Sequence, residues 1–119
     1  MITAELKRLH SPDVRDLMTF SPDDPTNFSF LLQIMAAPVG VNGEESFDVI
    51  VCTPRWLEAH VRGSRPLIGR HHLIVERYDY QELQEFISAS CSECRGASWQ
   101  EAAAKLGRLG HWEFEDYRP

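Results

Sequence analysis

The strongest constraint on the fold is a pair of alternating apolar segments between residues 27 and 57. Every second residue of the first segment is a large apolar one, at Phe28, Phe30, Leu32 and Ile34. The second segment repeats the pattern at Phe47, Val49 and Val51. A period of two places these side chains on one face of a strand, where they can pack on a core. Residues 38–43, rich in Pro, Gly and Asn, join the segments, so the sequence predicts a β-hairpin with a connection longer than two residues.

A helix is predicted directly after the hairpin. Thr53 is a suitable N-cap, because its hydroxyl can accept a hydrogen bond from a free backbone N–H of the first turn. Pro54 suits the first helical position, where no N–H is needed. Trp56 and Leu57 follow in the first turn. We expect them to cover one face of the hairpin.

Two more helices are predicted in the C-terminal half. Asp79 and Ser98 are each followed three residues later by a glutamate, which is the capping-box spacing that begins a helix. The first of these helices runs to about residue 91 and has one largely apolar stripe, at Leu83, Phe86, Ile87, Ser90 and Cys91. Gly110 is placed to end the second helix in the left-handed conformation.

Three further strands are predicted around this frame. Residues 2–9 form one near a sheet edge, and residues 67–78 form another. From residue 111 onward, Trp112 and Phe114 alternate with Glu113 and Glu115, which predicts a last strand with an acidic outer face. The order of elements predicts a single α+β domain over residues 1–119, with a mainly antiparallel sheet and about three helices packed on one face.

Composition restricts the class of protein. The chain has 119 residues, 43% of them hydrophobic and 25% charged, as is usual for a globular domain. No apolar run reaches the roughly 18 residues of a membrane span, and the N-terminal residues do not resemble a secretory signal, so we expect a cytoplasmic protein that does not bind membranes. A net charge of −6 argues mildly against nucleic acid as a partner; it suits solubility first and a basic protein partner second.

The clearest candidates for chemistry are two cysteines and two histidines. Cys91 and Cys94 have the C-x-x-C spacing of metal and redox sites. However, zinc needs about four ligands, and the C-terminal end of a helix disfavours a thiolate. His71 and His72 are adjacent in a predicted strand, where their side chains would point to opposite faces. We therefore expect ordinary thiols, and a small thiol- or metal-dependent enzyme using Cys91, Cys94 and one histidine is the alternative.

Other catalytic and cofactor motifs are absent from the sequence. There is no G-x-S-x-G nucleophile motif, no Walker loop and no dinucleotide fingerprint. The glycines of residues 39–43 lie in a hairpin loop with no helix after them, so they do not form a phosphate-binding loop. The sequence accordingly predicts no cofactor, no bound metal and no catalytic residue.

Four segments together resemble the immunity protein 8 family, which is found beside bacterial polymorphic toxins. Together they extend over nearly the whole chain, and their order and the size of the chain match those of the family. They are residues 27–30 (NFSF), residues 45–57 (ESFD followed by CTPRWL), residues 69–75 (GRHHLIV) and residues 109–115 (LGHWEFE).

The resemblance implies a small cytoplasmic protein that protects the bacterium producing it by binding a cognate toxin domain, without enzymatic activity. It transfers no catalytic or interface residue to this chain. From charge we expect a basic toxin domain, such as a nuclease, to be bound through acidic side chains. The candidate toxin-binding residues are Asp23, Asp24, Glu44, Glu45, Glu113, Glu115 and Asp116. An interaction module of some other pathway is the third possibility.

Overall fold

The predicted hairpin is the centre of the sheet. The computed structural model describes residues 1–118, which form six strands and three helices. In chain order these are β1 (Ile2–His10), β2 (Ser29–Pro38), β3 (Glu45–Cys52), α1 (Pro54–Val61), β4 (His72–Ile74), α2 (Tyr80–Glu93), β5 (Arg95–Gly96), α3 (Trp99–Leu106) and β6 (His111–Trp112).

The sheet is curled and mostly antiparallel. Its strands follow the order β4-β3-β2-β1-β5, and only the β3–β4 pair is parallel. The short β6 also pairs with β3, opposite residues 47–48. Along its outer edge, β3 therefore pairs with β6 near the beginning of β3 and with β4 near the end of β3. Only the two residues of β5 lie beyond β1, which confirms the prediction that β1 runs near a sheet edge.

The core consists of the residues that the alternation marks. Phe30, Leu32, Ile34, Phe47, Val49 and Val51 are all at most 4% exposed. Helices α2 and α3 cover this face and add five core residues, which are Leu83, Ile87, Cys91, Ala103 and Leu106. Helix α1 contributes no buried residue, and its Trp56 and Leu57 are only partly buried. The α+β class is thus confirmed, with two of the three helices supplying the core.

The predicted helix starts are confirmed by their hydrogen bonds. Each capping side chain accepts a bond from the backbone N–H three residues later, and the three capping residues are Thr53, Asp79 and Ser98. These side chains satisfy donors that a helix start leaves free, so they fix where each helix begins.

The strand predicted over residues 67–78 is much shorter in the structure. Only His72–Ile74 pairs with β3, and it does so in parallel. His71 adopts the left-handed conformation, with φ 63°, so the chain turns sharply just before the strand. After Val75 the chain turns again towards the Asp79 cap of α2. The apolar pattern of this segment therefore reflects partial burial at a sheet edge and not a long strand.

The predicted last strand is also wrong beyond its first two residues. Only His111–Trp112 is a strand. The chain then bends through two turns, closed by backbone hydrogen bonds from Glu115 to Trp112 and from Tyr117 to Phe114. Asp116 is left-handed, with φ 61°. Since the extended geometry ends at Trp112, Glu113 and Glu115 do not share an outer strand face.

Two single-residue predictions in the helical half are wrong. Phe86 belongs to the predicted apolar stripe of α2 but is 51% exposed. Gly110 is not left-handed, because α3 ends at Gly107 in a right-handed conformation. Gly110 instead lies against β3, where an added Cβ would come within 3.0 Å of the Phe47 carbonyl group. The missing side chain thus lets the C-terminal segment approach the sheet.

Candidate functional site

Five of the seven candidate carboxylates lie on two segments that pack on each other, the start of β3 and the C-terminal segment. We call this set the acidic end, and it consists of Glu44, Glu45, Glu113, Glu115 and Asp116. Pairing of Phe47 with Trp112 and of Asp48 with His111 brings the two segments together. The acidic end is therefore produced by tertiary structure from residues almost 70 positions apart in the chain.

Glu45 is the centre of the acidic end. One of its carboxylate oxygens, Oε2, accepts a hydrogen bond of 2.9 Å from Trp99 Nε1. The other, Oε1, accepts one of 2.8 Å from Trp112 Nε1. Hydrogen bonds to an ionised acceptor are stronger than neutral ones. Glu45 thus connects the start of α3 and strand β6 to the start of β3.

Glu113 and Glu115 also make contacts inside the protein. Glu113 Oε1 accepts a hydrogen bond of 2.7 Å from the Ser46 backbone N–H. The Glu115 carboxylate accepts two from the Arg70 guanidinium, at 2.7 and 3.2 Å. These hydrogen bonds from Arg70 hold the pKa of Glu115 below its usual range. Both glutamates therefore stabilise the folded position of the C-terminal segment.

The other two members of the acidic end differ in how available they are to a partner. Glu44 Oε1 lies 2.8 and 2.7 Å from the Nε and Nη2 atoms of Arg8, and its side chain is 28% exposed. Asp116 is exposed, and its side chain makes no hydrogen bond within residues 1–118. Beside it, Phe114 and Tyr117 are 39% and 64% exposed, with their rings edge to face at 5.6 Å. Aromatic side chains held in place next to charge are typical of binding surfaces.

Asp23 and Asp24 lie away from the acidic end. They are in the turn before β2, where Asp24 accepts hydrogen bonds of 2.9 Å from the backbone N–H and the hydroxyl of Thr26. These bonds hold the pKa of Asp24 below its usual range. This turn adjoins the end of the hairpin at which Ser29 pairs with Cys52. The acidic end adjoins the opposite end of the hairpin, at which Ala36 pairs with Glu45. These two ends are separated by seven residue steps along β2, which correspond to about 23 Å.

The structure does not assemble the candidate thiol or metal site. Cys52 and Cys91 are buried, Cys94 is half-buried, and all three are free thiols. Burial raises the pKa of Cys91 to about 12, so the thiolate is strongly disfavoured. A His71 ring nitrogen, Nε2, lies 2.6 Å from the Gly107 carbonyl oxygen. Among residues 1–118 there is no group of three or more His, Cys, Asp or Glu side chains that could hold a metal ion.

The burial of the thiols predicts low reactivity. In native protein at pH 8, a chromogenic disulfide reagent is expected to label Cys94 slowly and to leave Cys52 and Cys91 unmodified over an hour. Unfolding in guanidinium should make all three thiols react at once, which serves as the internal control. Rapid labelling of Cys91 in the native protein would contradict the packing of α2 on the sheet and would restore a reactive-thiol function.

Comparison with protein families identifies a family that the chain resembles. The model of a protein family described as immunity protein 8 matches residues 4–117, which is nearly the whole chain. No curated protein and no solved structure matches. Within residues 1–118, none of the helices has the length and apolar character needed to cross a membrane.

Proposed function

This chain belongs to the immunity protein 8 family, and on that premise we propose that it binds a cognate polymorphic toxin domain and neutralises it in the bacterium that makes both. Neutralisation of a toxin is what membership of the family implies, and immunity proteins are generally non-enzymatic inhibitors. The family match over residues 4–117 is the observation that carries the proposal. We further propose that binding takes place in the cytoplasm and that the toxin domain is basic, as a nuclease domain would be.

We propose that the acidic end is the contact surface for this basic domain. Its exposed part combines the charges of Glu44 and Asp116 with the aromatic side chains of Phe114 and Tyr117. Glu45, Glu113 and Glu115 are proposed to contribute their charge while their hydrogen bonds keep the surface in one conformation. A surface that is already ordered loses little conformational entropy on binding.

Asp23 and Asp24 have a different proposed role. Charges separated by more than about 8–10 Å are largely screened from each other at physiological ionic strength. The basic side chains that dock on the acidic end, about 23 Å away, would therefore gain little from these two residues. We propose that they act only through the overall negative field, which attracts a basic domain before contact.

Two double variants test whether the acidic end contributes more to binding than carboxylates elsewhere on the surface, because both variants change the net charge equally. E44Q/D116N neutralises two exposed carboxylates of the acidic end, and asparagine also tolerates the left-handed conformation at position 116. D23N/E93Q neutralises one carboxylate in the turn before β2 and one at the end of α2. Neither variant removes a hydrogen bond made by Glu45, Glu113 or Glu115.

Binding kinetics of the purified toxin domain encoded by the adjacent upstream gene provide the measurement. At low salt, E44Q/D116N is expected to lower the association rate constant by roughly fivefold and to flatten its salt dependence. D23N/E93Q should have a clearly smaller effect. Equal effects of the two variants would show that only net charge matters, and no effect of either would remove the electrostatic part of the proposal.

A further inference from the structure

A partly open cavity lies between β4 and α2, beside the end of β3 that is remote from Glu45. Its volume is about 400 Å³, and it is lined by Val51, Leu73, Val75 and Leu83 together with four charged side chains. Ile74 and Phe86 lie at its rim and are 55% and 51% exposed. We call this cavity the edge groove. Its volume is in the range of pockets that hold a large side chain or a small ligand.

The groove arises from the way α2 packs. This helix lies mainly over β1, and its buried residues Leu83, Ile87 and Cys91 point into the core. The edge strand β4 has only three residues, so the sheet face beside it is left partly uncovered. Phe86 projects from α2 beside this gap and leaves half of its surface in water. Single exposed apolar residues are common, whereas exposed apolar side chains grouped at a groove are typical of binding surfaces.

The charges at the groove indicate what kind of partner fits. Glu76, Asp79 and Glu82 line it together with one cation, Arg77. Within residues 1–118, none of these four side chains takes part in an ion pair. The groove therefore has an apolar floor and a net negative rim. A complementary ligand has a large apolar side chain with a positive charge beside it.

We infer that the edge groove anchors the toxin domain by taking a large apolar side chain that has a lysine or arginine next to it. This inference rests on the proposed function and adds a second contact to it. The acidic end speeds association, because charge acts at long range. The groove slows dissociation, because a buried apolar anchor acts only after contact. The groove and the acidic end therefore have separate kinetic signatures.

Three substitutions in the groove test the inference. F86A and I74S remove exposed apolar rim residues, and E76K reverses a charge on an exposed side chain, so all three are expected to fold. V39S and I68S are the controls, because they remove exposed apolar side chains that do not line the groove. Circular dichroism and thermal unfolding confirm that each variant is folded before binding is measured.

The measurement is surface plasmon resonance with the purified toxin domain encoded by the adjacent upstream gene. F86A and I74S are each expected to raise the dissociation rate constant roughly tenfold with little change in association, and the controls should behave like the wild type. E76K should also raise the dissociation rate constant, and because it changes the net charge by two it should slow association as well.

Unchanged dissociation of the folded groove variants from a toxin that the wild type binds would overturn the inference and leave the proposed function standing. Absence of wild-type binding would overturn both. Dimers of the protein alone that F86A dissociates would overturn the inference in favour of a second copy as the occupant.

Discussion

Phe47→Ala is expected to lower the free energy of unfolding by about 3–5 kcal/mol, the usual cost of removing a buried phenylalanine side chain. Phe47 is fully buried in β3, between Ile34 of β2 and Trp112 of β6. Its ring is nearly parallel to that of Trp112, at 6.2 Å, and edge-on to that of Trp99, at 6.4 Å. The substitution therefore removes core volume and the support on which the C-terminal segment packs.

Thermal unfolding followed by circular dichroism measures this effect. At roughly 4 °C per kcal/mol for a domain of this size, Tm should fall by about 12–20 °C. Phe86→Ala is the matched control, since it removes the same side chain from an exposed position of α2. It should change the stability by less than about 1 kcal/mol. A Phe47→Ala variant as stable as Phe86→Ala would contradict the position of Phe47 at the centre of the core.

Glu45→Ala is the second substitution with a large expected effect. It leaves the indole N–H groups of Trp99 and Trp112 without their acceptor. A hydrogen bond to a charged group contributes about 1.5–3 kcal/mol, and partial exposure of Glu45 favours the lower value for each bond. We expect a loss of about 3 kcal/mol in total, together with release of the C-terminal segment from the sheet.

Glu44→Ala is the control for this experiment, because it is the same substitution at the adjacent residue. Glu44 makes a surface ion pair with two guanidinium nitrogens of Arg8, and such exposed pairs contribute about 0–1 kcal/mol. Urea unfolding gives the difference in stability. Hydrogen exchange of residues 111–118 should become faster in Glu45→Ala and stay slow in Glu44→Ala. Equal protection in both variants would show that the two indoles do not hold this segment.

The parts of the fold that the sequence predicts correctly are those determined by local patterns. The alternation from Phe28 to Ile34 has a period that only a strand with one buried face satisfies. The caps at Thr53, Asp79 and Ser98 are also local, because a side chain bonds to a backbone group three residues away. For such features a few neighbouring residues determine the conformation.

The wrong predictions concern segments whose conformation depends on distant residues. The alternation of residues 111–115 predicts a strand, yet the chain turns after Trp112, where it is held by Glu45 and Arg70 from elsewhere in the chain. The spacing of Phe86 fits the apolar stripe of α2, but the helix is rotated so that this residue faces an uncovered sheet edge. Periodicity predicts which residues share a face and not how completely that face is covered.

The binding surface is predictable only in part for the same reason. The excess of carboxylates is visible in the composition, but the grouping of five at one end and two at the other depends on the pairing of β6 with β3. The Glu45 network is likewise not visible in the sequence. Gln100, Glu101, Glu113 and Glu115 lie closer to the two tryptophans in the chain, yet it is Glu45 that accepts from both indole N–H groups.

The central claim is that this protein neutralises a toxin by binding it, and a rescue assay tests that claim most directly. The C-terminal domain encoded by the adjacent upstream gene is expressed in a bacterial host with and without this chain, and surviving cells are counted. We predict survival only when both are present, with the two proteins purifying as one complex. Death of cells that contain the folded, soluble protein together with the active toxin domain would contradict the claim.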